Sequence, residues 1–486
     1  MIRKVISKYG LAAHLGLLAA LPVALYPFVD VPVLGRVVLF AAAFAALWIF
    51  AEPSVRLGER SFQTRSRVMG SIFGDPLFYF FLAVVLFALI RWINSGICLW
   101  YDAEQSVWQL KEPSATVMPA SAGTSGYLPF VASVGIWVFV VGVRNALGLS
   151  ARVFCGLTVV AVVGVGGLVA AVCACLGVLP TLAPAVKCSI ATSPFLGTAF
   201  GYFLILSVVF GVDAECRKWV AARLPFVVAV AGTSSGLVFF APPYVAAVFV
   251  VVALLFLIFS SVYSARLGSM GGVARGIVFF LLGLVVPALL LMALAPVEIQ
   301  QFKLEGLNPQ NFFPVEYGPL NEIFTRVSKG MWLERPWLGT GVGAYGLQVP
   351  FLAEKADWSL LPTQVKLALN GYWTLLAERG IIGCALLVVG LGLLLCFWVS
   401  RLAEAFSFLR GNDEADVFPF ACPPVVWTAP FILLLGLAEL YFSPAFSSIA
   451  SVFALIVPLV LSAASFPRNP KKPVVETVSS QPNEDK

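Results

Sequence analysis

Two short stretches hold the residues whose types and spacing could do chemistry. One runs from Leu369 to Gly383 and reads Leu-Asn-Gly-Tyr-Trp-Thr-Leu-Leu-Ala-Glu-Arg-Gly-Ile-Ile-Gly. The other runs from Arg335 to Tyr345 and reads Arg-Pro-Trp-Leu-Gly-Thr-Gly-Val-Gly-Ala-Tyr. Gly339, Gly341 and Gly343 allow positive φ and close backbone approach, so successive N–H groups can converge on an anion. The plainer alternative is a glycine-rich turn packed by Trp337 and Tyr345. A nucleotide-binding loop is excluded, because no Lys-Ser/Thr pair follows. Arg326, Arg335, Lys366 and Arg379 lie in or beside these stretches, and Arg36 and Arg91 sit at ends of apolar runs. A guanidinium fork suits phosphate oxygens; the alternative for each is a cation whose stem covers apolar surface while its head reaches water. Arg91 is the sharpest case, since it interrupts the run from Phe87 to Ile93, where a charge is costly unless used or paired. Glu378 stands where it could take a proton, or could close a hydrogen-bond network with Arg379 or Lys366. Glu354 and Asp357 are more exposed alternatives. The one histidine, His14, falls in the first apolar run and reads as a packing position.

These residues must be positioned by a membrane protein. Of 486 residues, 60% are hydrophobic and 12% charged, against roughly 25% charged in soluble domains. The nine cysteines are scattered singly with no metal-type spacing. Apolar runs fall near 11–29, 33–51, 76–95, 128–146, 154–179, 195–212, 225–241, 244–261, 277–296, 380–400, 423–441 and 444–465. At about 20 residues per crossing these predict an all-α polytopic protein of about 12 transmembrane helices. The first run reads as a span rather than a cleaved signal. Most of the 31 lysines and arginines then fall on the side of the N-terminus, which assigns both termini to the cytoplasm. The expected organisation is nine spans over 1–296, one long extracytoplasmic loop over 297–379, three spans over 380–466, and a disordered cytoplasmic tail over 467–486. A second outer segment, 96–127, reads as a moderately polar loop.

In the first stretch, Asn370, Tyr372, Leu376, Glu378, Gly380 and Gly383 stand at spacings that resemble the signature of the bacterial O-antigen ligase and polymerase family. That signature is His-Asn-any-Tyr-Leu, followed by Leu-any-Glu-any-Gly-any-any-Gly. Pro336, Gly339, Gly341, Gly343 and Tyr345 resemble the glycine turn that precedes it in the family. The matches cover Pro336 to Gly383, in the family's order and on the expected loop. Leu369 stands where the family carries its histidine, and Arg326 lies closer to Pro336 than the family's upstream arginine does. The resemblance implies transfer of a glycan from an undecaprenyl-pyrophosphate carrier to an acceptor hydroxyl of a glycan or lipid, at the outer face of the bacterial inner membrane. It implies partners in the lipid bilayer, no nucleic acid, and a reaction that needs no metal and no cofactor, since the pyrophosphate leaving group supplies the driving force. Among the matched residues and the cations beside them, Glu378, Arg335 and Arg326 are the catalytic candidates. Gly339, Gly341, Gly343, Tyr345, Lys366, Asn370, Tyr372, Arg379 and Arg91 would bind substrate. Two other classes stay open: a polysaccharide transporter or flippase, and a non-catalytic family member that scaffolds a polysaccharide complex.

Overall fold

The computed structural model describes residues 2–29, 31–55, 68–93, 98–102, 107–111, 127–176, 194–216, 222–241, 243–266, 270–294, 317–342, 344–354, 370–410, 424–442 and 449–464. The tail 467–486, Gly343, Lys366 and Leu369 lie outside them, as do Glu354's downstream neighbours, Asp357 among them. The helices are α1 (Ile2–Ala24), α2 (Val31–Val55), α3 (Pro76–Ile93), α4 (Tyr127–Val141), α5 (Leu149–Cys175), α6 (Pro194–Cys216) and α7 (Arg223–Phe240). They continue with α8 (Pro243–Arg266), α9 (Met270–Ala293), α10 (Tyr317–Glu334), α11 (Tyr345–Leu352), α12 (Gly371–Arg410), α13 (Pro424–Phe442) and α14 (Ile449–Ala464). Eight described helical segments are long and apolar enough to cross a bilayer, and shorter apolar helices lie at both ends of the chain and between them. The chain is a multi-pass, predominantly helical membrane protein.

Burial follows composition. The run Gly197–Ala214 in α6 is apolar on every side and 94% buried, as expected of a helix with no polar face. It packs on α7 and α8, while α5 lies against α1 and α7. The last helix, α14, packs on α1, α4, α6, α12 and α13, and so joins the C-terminal helices to the rest.

Two segments that read as polar loop have regular structure. Residues Cys98–Asp102 and Val107–Lys111 form an antiparallel hairpin, β1 and β2, with Cys98 opposite Lys111 and Asp102 opposite Val107. Leu-Trp-Tyr and Val-Trp are strand-favouring side chains, and that preference is the signal a polarity count overlooks. The long segment before α12 carries α10 and α11. Ile323, Phe324, Val327 and Met331 recur at helical spacing and bury themselves against Tyr345, Val349 and Ala377 in a second, smaller core.

At the opposite end of α3 and α4 a polar knot ties the helices together. The Leu77 N–H donates to Asp75 Oδ1 at 3.0 Å, capping α3. Asp75 Oδ2 lies 2.8 Å from Arg144 Nε and accepts from Asn145 Nδ2 at 2.9 Å. Arg144 and Asn145 sit on a π-helical turn, Gly142–Ala146, which ends α4. Such a turn leaves carbonyls out of register, and Arg152 donates to two of them, Val143 O and Arg144 O. A third Arg152 bond reaches Ala464 O at the end of α14. The Arg144 guanidinium also lies 4.1 Å over the Phe397 ring of α12. Since Asp75 is buried, Arg144→Leu strands its charge and should cost about 3 kcal/mol. Thermal unfolding in detergent should show that loss, and Asp75→Asn combined with Arg144→Leu should recover part of it; additive losses would contradict the pairing.

Candidate functional site

The site is built on a broken helix. Within α12, Gly380 has φ 65° and ψ −173°, a region open essentially to glycine alone. In an unbroken helix Ile381 and Ile382 would donate to Ala377 and Glu378 four residues back. Here they donate instead to Pro336 O at 2.9 Å and Trp337 O at 3.0 Å. The carbonyls they vacate accept from the glycine turn: Thr340 N–H bonds Ala377 O at 2.8 Å and Gly341 N–H bonds Glu378 O at 3.0 Å. The Thr340 hydroxyl adds a bond to Ala377 O at 3.1 Å. Four of the backbone groups freed by the break are therefore taken up by residues 336–341, a backbone clamp between the two stretches.

The glycines at its centre are required by one another. Gly339 has φ 69°, and a Cβ there would fall 2.5 Å from the Glu378 carbonyl carbon and the Gly380 nitrogen. A Cβ on Gly380 would meet Gly339 N, Trp337 O and Leu338 C. Gly383, one turn on, leaves room for the Arg379 stem, since a Cβ there would sit 2.6 Å from Arg379 Cβ. The Glu-Arg-Gly-Ile-Ile-Gly spacing thus has a local physical meaning: the first glycine breaks the helix and the second makes space for the arginine.

Arg91, near the end of α3, reaches the clamp. Its Nη2 donates to Glu378 O at 3.1 Å, so that carbonyl accepts from both Gly341 and Arg91. The Glu378 side chain is buried, and its charge acts on Arg91, Arg379 and Tyr345. Arg91 and Arg379 repel one another. Among the described residues, two guanidiniums and the Glu378 carboxylate make up this cluster. Both arginines line a largely apolar, partly open well between α3, α4, α12 and α14, with a cavity volume of roughly 130 Å³. Val342 of the glycine turn lines it too.

The other sequence-predicted residues fall around this centre rather than in it. Asn370 caps α12, its Oδ1 accepting from Tyr372 N–H at 3.0 Å and Trp373 N–H at 3.4 Å. The Tyr372 hydroxyl donates to Leu437 O of α13 at 2.6 Å. Tyr345 is fully buried; its hydroxyl donates to Phe324 O at 3.2 Å and lies 3.4 Å from Ser328 Oγ. Burial pushes its phenol well above the usual range, as suits a pillar of the small core. Arg335 is half-buried, and its carbonyl accepts from Gly339 N–H at 2.9 Å, closing the end of α10. Arg326 is exposed and 3.4 Å from Glu354. Neither Arg326 nor Arg335 lines the well. His14 sits in α1 with Nδ1 2.6 Å from Gly10 O and its ring stacked on Trp48.

No family model matches this chain, and no curated protein matches it either.

One polar group near this end had no signal in the motifs. Glu439 of α13 accepts from the Tyr202 hydroxyl at 2.7 Å and from the Thr198 hydroxyl. A lone carboxylate in the apolar run 424–442 was the clue available in the sequence.

The clamp makes a direct prediction. Gly380→Ala and Gly339→Ala each force a Cβ into the partner strand at positive φ, and should lower stability by about 3 kcal/mol or more. Gly392→Ala, in the same helix with open space around it, should be neutral or slightly stabilising. Unfolding midpoints in detergent compare the three; equal effects would mean that the clamp does not form.

Proposed function

We propose that this chain is a membrane glycan transferase of the O-antigen ligase/polymerase type. In this reading it crosses a bacterial inner membrane twelve times with both termini cytoplasmic. It moves a glycan from an undecaprenyl-pyrophosphate carrier to an acceptor hydroxyl on the outer face. The four shorter apolar helices, Tyr9–Ala24, Ala274–Leu290, Pro424–Glu439 and Ala450–Ala464, support the higher span count. They belong to helices of 23, 24, 19 and 16 residues. At 1.5 Å per residue these reach roughly 24–36 Å, close to the thickness of a hydrocarbon core.

The observation that carries the function is that the two family-like stretches are one clamped unit, holding Arg91 and Arg379 at an apolar well. In the reaction the acceptor oxygen bonds to the sugar's anomeric carbon as the bond from that carbon to the pyrophosphate oxygen breaks. Negative charge grows on the departing pyrophosphate, while the acceptor's proton passes to that oxygen or to water. Preorganised guanidiniums in a low-dielectric setting stabilise such a charge. The carrier's tail would occupy the well. In this reading Glu378 keeps two like charges together and is a positioning residue. Arg326 is peripheral, and Leu369 leaves the acceptor without an imidazole.

A transporter is the second reading, favoured by Glu439, an ionisable side chain at the end of an apolar helix held by two hydroxyls. Genetic complementation separates the two. Loss of the chain should accumulate carrier-linked glycan on the outer face and remove the surface polysaccharide. Arg91→Ala and Arg379→Ala should each lower transfer by about 10²-fold, as for loss of one charge-stabilising donor, with the protein still inserted. Arg326→Ala should stay near wild type, as expected for an exposed ion pair. Carrier-linked glycan trapped on the inner face would instead indicate a transporter. Unchanged polysaccharide without the chain would overturn the proposal.

A further inference from the structure

The well has a depth, and the depth has a cause. On α3 it is lined by Phe80, Val84, Phe87 and Arg91, which recur every three or four residues and so share one face. On α12 the matching face carries Arg379, Gly383, Leu387, Gly390 and Leu394. From Arg91 to Phe80 is eleven helical steps, roughly 16 Å at 1.5 Å per residue. That is about one leaflet, half of a hydrocarbon core of about 30 Å.

Below Phe80 the lining helices are tied together. A Cβ on Gly390 would lie 3.0 Å from the Phe80 ring, so that ring rests against α12. The indole N–H of Trp137 in α4 donates to Phe78 O of α3 at 3.1 Å. Beneath that, Arg144 joins Asp75 of α3 to Phe397 of α12. The well therefore has a charged rim and a floor.

We propose that this well measures a lipid: it holds one hydrocarbon tail only over its phosphate-proximal stretch, with the floor at Phe80 and Gly390 setting the length held. This rests on the reading of Arg91 and Arg379 as headgroup cations. With C–C bonds of about 1.5 Å, an isoprene unit of four chain bonds advances roughly 5 Å, so about three units fill the well. The rest of a long carrier leaves by the open side into the bilayer. Because lipid is as apolar as the well, a tail gains by contact with the lining and gains nothing once outside.

The test measures binding of geranyl, farnesyl, geranylgeranyl and undecaprenyl monophosphates to the full chain in nanodiscs at equal mole fraction, by native mass spectrometry. Binding should rise about tenfold from geranyl to farnesyl and then stay within about twofold, since only contacts inside the well count. Val84→Trp fills the well one turn, about 5.4 Å, above the floor and should move the plateau to geranyl. Val84→Leu should weaken farnesyl selectively if the larger variant does not insert. Affinity that keeps climbing to undecaprenyl, or a plateau unmoved by both variants, overturns the length reading and leaves the transferase reading in place. If no prenyl phosphate binds, or phosphatidylglycerol displaces all of them equally, the headgroup reading fails as well.

Discussion

Everything at the candidate site depends on four backbone hydrogen bonds that repair a broken helix. The break at Gly380 takes at least two N–H and two C=O groups, those of Ile381, Ile382, Ala377 and Glu378, from their helical partners. Each such group left unsatisfied in an apolar setting costs about 1–3 kcal/mol, so the four together approach the net stability of an ordinary domain, about 5–15 kcal/mol. The glycine turn removes that cost by supplying two donors from Thr340 and Gly341 and two acceptors from Pro336 and Trp337. Neither stretch is satisfied without the other. The clamp is therefore a fixed joint between the small core of α10 and α11 and the membrane helices.

That joint also organises charge. Glu378 contributes its carbonyl to the clamp, and the charge of its carboxylate acts on two arginines. Arg379 follows it directly in sequence, and Arg91 arrives from a helix 287 residues away to bond the same carbonyl. Two guanidiniums that repel are held at the rim of an apolar well by one carboxylate and by backbone geometry. In the proposed reading an anionic headgroup lies against this cluster and a hydrocarbon tail fills the space below. The knot of Asp75, Arg144 and Arg152 holds the other ends of the same helices, so the space between the two anchors stays open.

Much of this was legible in the sequence because it depends on local rules. Apolar runs marked the helices, and the alternating glycines and the Glu-Arg-Gly-Ile-Ile-Gly spacing marked the clamp. Arg91 stood out as a charge within an apolar run. The apolar run marks a span from 380, and the helix that carries it begins nine residues earlier, at Gly371, with Gly380 a break inside it. The face of α10 was hidden because Gly, Pro and charges outweigh Ile323, Phe324, Val327 and Met331 in any polarity average. Arg326 looked equivalent to Arg379, and only the fold separates an exposed ion pair from the rim of the well. The Asp75–Arg144 pair spans two helices, and no local pattern announces it.

The most direct measurement is an electron cryo-microscopy structure of the chain in nanodiscs with undecaprenyl pyrophosphate added. The account predicts phosphate density within hydrogen-bond reach of Arg91 and Arg379, under the turn 336–342, with tail density running down the faces of Val84 and Leu387. A helix continuous through Gly380 with the turn detached, or a headgroup bound away from both arginines, would contradict it.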